Sequence, residues 1–81
     1  MTLSELKKSL TRMQTSSTSL MVSMAMINND IASLICAIEN ADDDGIVNSI
    51  AELGKSSKLM ADSLEAYCDA SVVFLRGDLL D

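Results

Sequence analysis

The stretch from Leu3 to Ile38, LSELKKSLTRMQTSSTSLMVSMAMINNDIASLICAI, decides the fold. Within it Leu3, Leu6, Leu10, Met13, Ser17, Leu20, Met24, Ile27, Ile31, Leu34 and Ile38 recur at alternating steps of three and four. That spacing keeps one face of a long helix against a neighbour as a coiled-coil seam. Only Ser17 interrupts the apolar run. A second seam follows the acidic stretch, at Ile46, Ile50, Leu53, Ser57, Met60, Leu64, Tyr67, Ser71 and Phe74. When the chain is folded back on itself, each position of the first seam meets one of the second at a constant sum of residue numbers. Ile38 then faces Ile46, Leu34 faces Ile50, Met24 faces Met60, Leu20 faces Leu64 and Leu10 faces Phe74. Sizes alternate across the pairs, with Ser17 against Tyr67 and Ile27 against Ser57, as a filled layer requires. The expectation is an all-α chain of one domain, residues 1–81. It forms an antiparallel two-helix coiled-coil hairpin with helices at about 3–40 and 45–76 and a turn at about 41–45.

Thr2 and Glu5 make the T-x-x-E pattern of a capping box, which starts the first helix at Leu3. Asp42, Asp43 and Asp44 offer N-cap side chains for the second helix, where negative charge also suits the helix dipole. Gly77 suits a C-terminal stop after Arg76. Gly54, inside the second helix, costs about 1 kcal/mol relative to Ala, and close packing is its expected compensation. Beside the seams run small residues: Ser9, Ser16, Ser23 and Ala37 on the first helix, and Ser49, Ser56, Ser63, Ala70 and Gly77 on the second. Small flanks admit another helix, and Met21, Val22, Met26, Ile35, Val72 and Val73 add apolar surface outside the seams. A hairpin this thin cannot shield a core on all sides. A four-helix bundle, completed by a partner or a second copy, is therefore expected.

Composition narrows the function. The net charge is −6, with 12 acidic and 6 basic residues, which argues against nucleic acid, because phosphate binding needs clustered Lys and Arg. Lys7, Lys8 and Arg12 lie near the open end of the hairpin, whereas Glu39, Asp42, Asp43 and Asp44 gather at the turn. The polar start MTLSELKK is not a secretory signal peptide, so a cytoplasmic chain is expected. The most apolar run, Leu20 to Ile27, stops at Asn28, Asn29 and Asp30, short of the roughly 20 residues of a membrane span. No membrane span is expected. Cys36 and Cys68 lie about 20 residues apart along the rod, roughly 30 Å at ~1.5 Å per residue, too far for an intrachain disulfide. They read as reduced, small apolar fillers.

Chemistry has little to work with. Without His, neither a Ser/His nor a Cys/His nucleophile pair can be built. Asp62, Glu65 and Asp69 read as a solvated acidic stripe rather than a catalytic carboxylate pair. Asn40, Asp42, Asp44, Gly45 and Asn48 follow a calcium-loop pattern, but its twelfth position holds Ala51 in place of a bidentate carboxylate. No metal, cofactor or enzymatic activity is expected.

One local feature breaks the pattern: Phe74 and Asp78, of which Asp78 would fall on the seam opposite Leu6 if the helix continued, a costly place for a carboxylate. Here the chain resembles small helical hairpins of the WXG type, which are exported through type VII secretion without a cleavable signal peptide. These carry an aromatic-x-x-x-acid motif at the end of the second helix. Phe74 and Asp78 match it in the F-x-x-x-D form of the targeting partners of LXG toxins, although the turn has no Trp-x-Gly. The resemblance implies a non-enzymatic chaperone or targeting factor for a secretion-system client, recognised through Phe74 and Asp78. Met21, Val22, Met26 and Ile35 would hold the helical client. The same hairpin also suits a type III secretion needle subunit or needle chaperone, whose turn usually contains the Pro this chain lacks. A further reading is a homodimeric acidic four-helix regulator that occupies a basic groove.

Overall fold

The computed structural model describes residues 2–76 and consists of two helices, α1 from Leu3 to Glu39 and α2 from Asp43 to Leu75. They lie side by side in a rod of 61 × 15 × 13 Å. No strand occurs among the described residues.

Both helices start where local chemistry places them. Thr2 accepts the Glu5 amide at 3.1 Å through its hydroxyl, while the Glu5 carboxylate accepts the Thr2 amide at 3.3 Å. This reciprocal pair satisfies two otherwise orphaned donors. At the turn, the Asp42 amide donates to the Ala37 carbonyl and the Ala41 amide to the Ile38 carbonyl, the two bonds of a Schellman stop. Ala41 holds the left-handed conformation of that motif, with φ of 51°, a position glycine normally fills. Asp42 then caps α2, its carboxylate accepting the Gly45 amide at 3.0 Å. The turn is thus shorter than expected, with Asp43 and Asp44 already in the first turn of α2. That conformation also removes the loop a calcium site would need. Gly77 and Asp78 lie outside the described residues.

The antiparallel register agrees with the sequence pattern. Ser19 and Ser63 share a hydrogen bond of 2.7 Å, and Ser56 donates to Asp30 at 2.5 Å. One pair falls just below the expected constant sum of residue numbers and the other just above it.

The facing of the helices does not agree. Among the described residues the buried ones are Ser23 and Ala37 on α1, and Ser56, Ser63 and Ala70 on α2. Ser23 is 0% exposed and Ser56 only 2%. Half-buried Leu6, Met13, Leu20, Ile27 and Leu34 flank them on α1, as do Ile46, Leu53, Met60, Tyr67 and Phe74 on α2. The inner seam therefore alternates one larger apolar residue with one small one, again at steps of three and four. Part of each sequence-derived seam, namely Leu3, Leu10, Met24, Ile31 and Ile38 on α1 with Ile50 and Leu64 on α2, is exposed. Each helix is turned by one heptad position, about 50° around its axis, from the expected facing. The physical reason is side-chain size: serine and alanine let two backbones approach closely, and serines reach across to bond each other or Asp30. No buried side-chain polar atom among the described residues lacks a partner. Gly54 also departs from expectation. A Cβ there would meet nothing within 4 Å, so close packing does not explain it.

Candidate interaction face

Turning both helices toward their small residues opens the large ones on one side of the rod. In an antiparallel pair, the same shift carries the displaced row of each helix to the same face. That face has four rows. The half-buried rows, Leu6 to Leu34 and Ile46 to Phe74, run down its middle. Outside them lie Leu3, Leu10, Ser17, Met24, Ile31 and Ile38 on α1, and Ile50, Ser57, Leu64 and Ser71 on α2. None of these positions carries a charge. Met24 is 54% exposed, Ile31 42%, Ile50 56% and Leu64 48%. Contiguous exposed apolar surface of this kind marks an interaction site when it is extensive.

The opposite side of α2 is polar. Lys55 pairs with Glu52 at 3.3 Å and Lys58 with Asp62 at 3.2 Å, all four well exposed. Exposed pairs of this kind contribute little stability and mark the solvent side. Near the open end of α1, Ser4, Lys7, Lys8, Thr11 and Arg12 line a shallow basic depression.

Of the anticipated partner-binding residues, Met21, Val22, Met26 and Ile35 are all exposed. The face brings only two of them together. Met21 and Ile35 border its α1 edge, beside Met24, Ile31 and Ile38. Val22 points away from α2, among Thr15, Thr18 and Asn29, and Met26 lies on the far margin of the hairpin. Phe74 is half-buried at the end of its row. Asp78, the other half of its motif, lies outside the described residues. The sequence reading missed Met24, Ile31, Ile38, Ile50 and Leu64 as surface residues, because it spent them on the contact between α1 and α2. The signal that could have found them was the parallel heptad of small residues, which it assigned to an outside helix.

The thiols of Cys36 and Cys68 are free and exposed, so neither fills a packed interior. Asn40 donates through its amide to the Cys36 carbonyl at 2.9 Å and to its sulfur at 3.3 Å. Among the described residues no three His, Cys, Asp or Glu side chains converge as metal ligands would.

The expectation that no segment could span a membrane needs correction. Within Leu3–Glu39 an 18-residue window has a mean hydropathy of 1.5, and only 11% of it is buried. By length and composition α1 can therefore cross a bilayer. The polar trio Asn28, Asn29 and Asp30 ends the uninterrupted apolar run, yet Ile31, Leu34, Ile35 and Ile38 continue it on the same unbroken helix.

Fold and surface thus define a helical hairpin with a small-residue inner seam and a charge-free outer face. Compared with models of known protein families, with characterised proteins and with solved structures, the chain finds no match.

Proposed function

We propose that this chain is a non-enzymatic helical interaction protein, whose charge-free face is completed to a four-helix bundle by other helices. The observation that carries the reading is the face itself, two helices wide and lined by the larger apolar side chains of the sequence. Inside the hairpin, by contrast, the fully buried residues are serines and alanines. Helices packed at such a seam bury apolar area on both sides and need no polar groups at its centre. In its finer form the proposal is a chaperone or targeting factor that brings a client to a secretion apparatus. Phe74 and Asp78 would then be the recognised end.

Two variants test the two levels separately. Leu64→Asp places a charge on the face without touching the inner seam, and should abolish association while a helical hairpin persists. Glu65→Lys, on the solvent side, should leave association intact. Equal association by both variants would refute the docking face. Asp78→Ala should retain helicity and client binding but lose export of the client. Undiminished export would remove the secretion role and leave the interaction module.

A second reading is favoured by the apolar window of α1: the same surface lying in a lipid bilayer. Flotation with phosphatidylcholine and phosphatidylglycerol vesicles distinguishes the two. Comigration with the vesicles supports the bilayer reading, and a protein that stays at the bottom of the gradient removes it.

A further inference from the structure

We infer that the face is occupied by a second copy of the same chain, packed antiparallel to the first. The inference rests on the docking face proposed above, and two independent features of the rod point to a self-partner in this orientation.

Charge is the first. The tip of the hairpin carries Glu39, Asp42, Asp43 and Asp44, and no Lys or Arg occurs between Arg12 and Lys55. The open end carries Lys7, Lys8, Arg12 and Arg76, with Glu5 and, about a turn further in than Arg12, Asp69 as opposing charges among the described residues. The ends of a 61 Å rod are many Debye lengths apart, since screening acts over ~10 Å at 0.1 M salt. Each end therefore answers only to what lies beside it. A parallel pair would place acidic tip beside acidic tip and basic end beside basic end. An antiparallel pair places each tip near the partner's basic end, an arrangement that steers association and orientation.

Side-chain size is the second. A two-fold axis across the rod lays α1 over α1 and α2 over α2, each antiparallel to its copy. The axis is shared by both helices, so the hairpin register ties their settings together. One setting brings Ile50 opposite Ser71 of the second copy and Ser57 opposite Leu64 on α2, and with it Leu10 opposite Ile38 and Ser17 opposite Ile31 on α1. Every serine of the two open rows then meets a large apolar side chain, the alternation that fills a layer without voids. The contact is isologous, as a two-fold interface must be.

Light scattering over a dilution series should give twice the chain mass of 8.7 kDa. Asp43→Lys with Asp44→Lys should weaken the dimer by about tenfold at low salt, and adding Lys7→Glu and Lys8→Glu should restore it. In a Cys36→Ser, Cys68→Ser background, Leu10→Cys chains mixed with Ile38→Cys chains should crosslink to each other under mild oxidation. Crosslinking of Leu10→Cys chains to Ser71→Cys chains in preference would mean a parallel dimer and overturn the inference. A folded monomer that binds a hydrophobic dye would also overturn the self-partner, while leaving the docking face standing for another chain. A folded monomer that binds no dye would overturn both.

Discussion

Ser19 and Ser63 are the most direct test of how the two helices meet. Their hydroxyl oxygens lie 2.7 Å apart across the hairpin, so replacing both with cysteine, in a Cys36→Ser, Cys68→Ser background, places two sulfurs within bonding reach. The crosslink would close a loop of 44 residues. The chain-entropy relation gives about 4 kcal/mol of stabilisation for that length, at the upper end of what disulfides deliver. At 4–8 °C per kcal/mol for a domain of this size, the melting temperature should rise by roughly 15–30 °C. Thiol titration and gel mobility report the bond, and helical ellipticity against temperature, with and without reductant, reports the gain. The matched comparison is Met24→Cys with Met60→Cys, the pair that the heptad pattern alone sets face to face. Met24 is largely exposed, so that pair should close slowly and stabilise little. If Met24 and Met60 crosslink faster than Ser19 and Ser63, or if Ser19 and Ser63 link only between chains, the small-residue seam is wrong.

Three further outcomes follow from the same geometry. Ser63→Leu forces extra volume into a buried position beside Ser19 and should cost about 1–3 kcal/mol in urea unfolding, as overpacking does. A stability equal to the parent would show that the helices are not in close contact there. Gly54→Ala, with open space for its Cβ, and Ala41→Gly, which relieves a left-handed alanine, should each stabilise by about 1 kcal/mol. Thermal melts that fall instead would reject the assigned conformations. Thr2→Ala removes the capping box and should cost about 1 kcal/mol. Amide exchange should quicken at Glu5 and Leu6 but not at Ile46, and protection unchanged at Glu5 would deny the cap a role.

Much of this architecture is legible in the sequence. Thr2 and Glu5 announce the first helix, Asp42 announces the second, and the mirrored spacing of two apolar series gives an antiparallel hairpin and its approximate register. The facing is less legible, because in a bundle each helix has two adjacent contact surfaces and a heptad count marks both without saying which neighbour covers which. Leu64 and Ser63 are consecutive and both belong to sustained heptads. Size settles the matter, since Ser23, Ser56 and Ser63 allow the tethered pair to approach closely while Met24, Ile31 and Leu64 are left for helices from elsewhere. Hydropathy misled in a similar way. Reading Leu20 to Ile27 as a run that ends at Asn28 ignores that α1 continues as one helix, so its average apolarity remains high enough for a bilayer. Val22 and Met26 are exposed yet lie off the shared face, since exposure alone says nothing about which exposed residues share a side.

The buried serines and alanines have a consequence for the life of the protein in the cell. Burying a methyl or a hydroxymethyl group returns far less than the 1.5–3 kcal/mol gained by burying a leucine, whereas every residue fixed in a helix costs about 1–2 kcal/mol of backbone entropy. The contact between the two helices therefore leaves an isolated hairpin with a small margin of stability, and a covered outer face adds to it. Uncovered chains open to proteases more often than covered ones, which are protected by mass action. With a second copy as the cover, turnover should be faster while the protein is scarce and slow once its concentration passes the dissociation constant of the pair, with no dedicated regulator required.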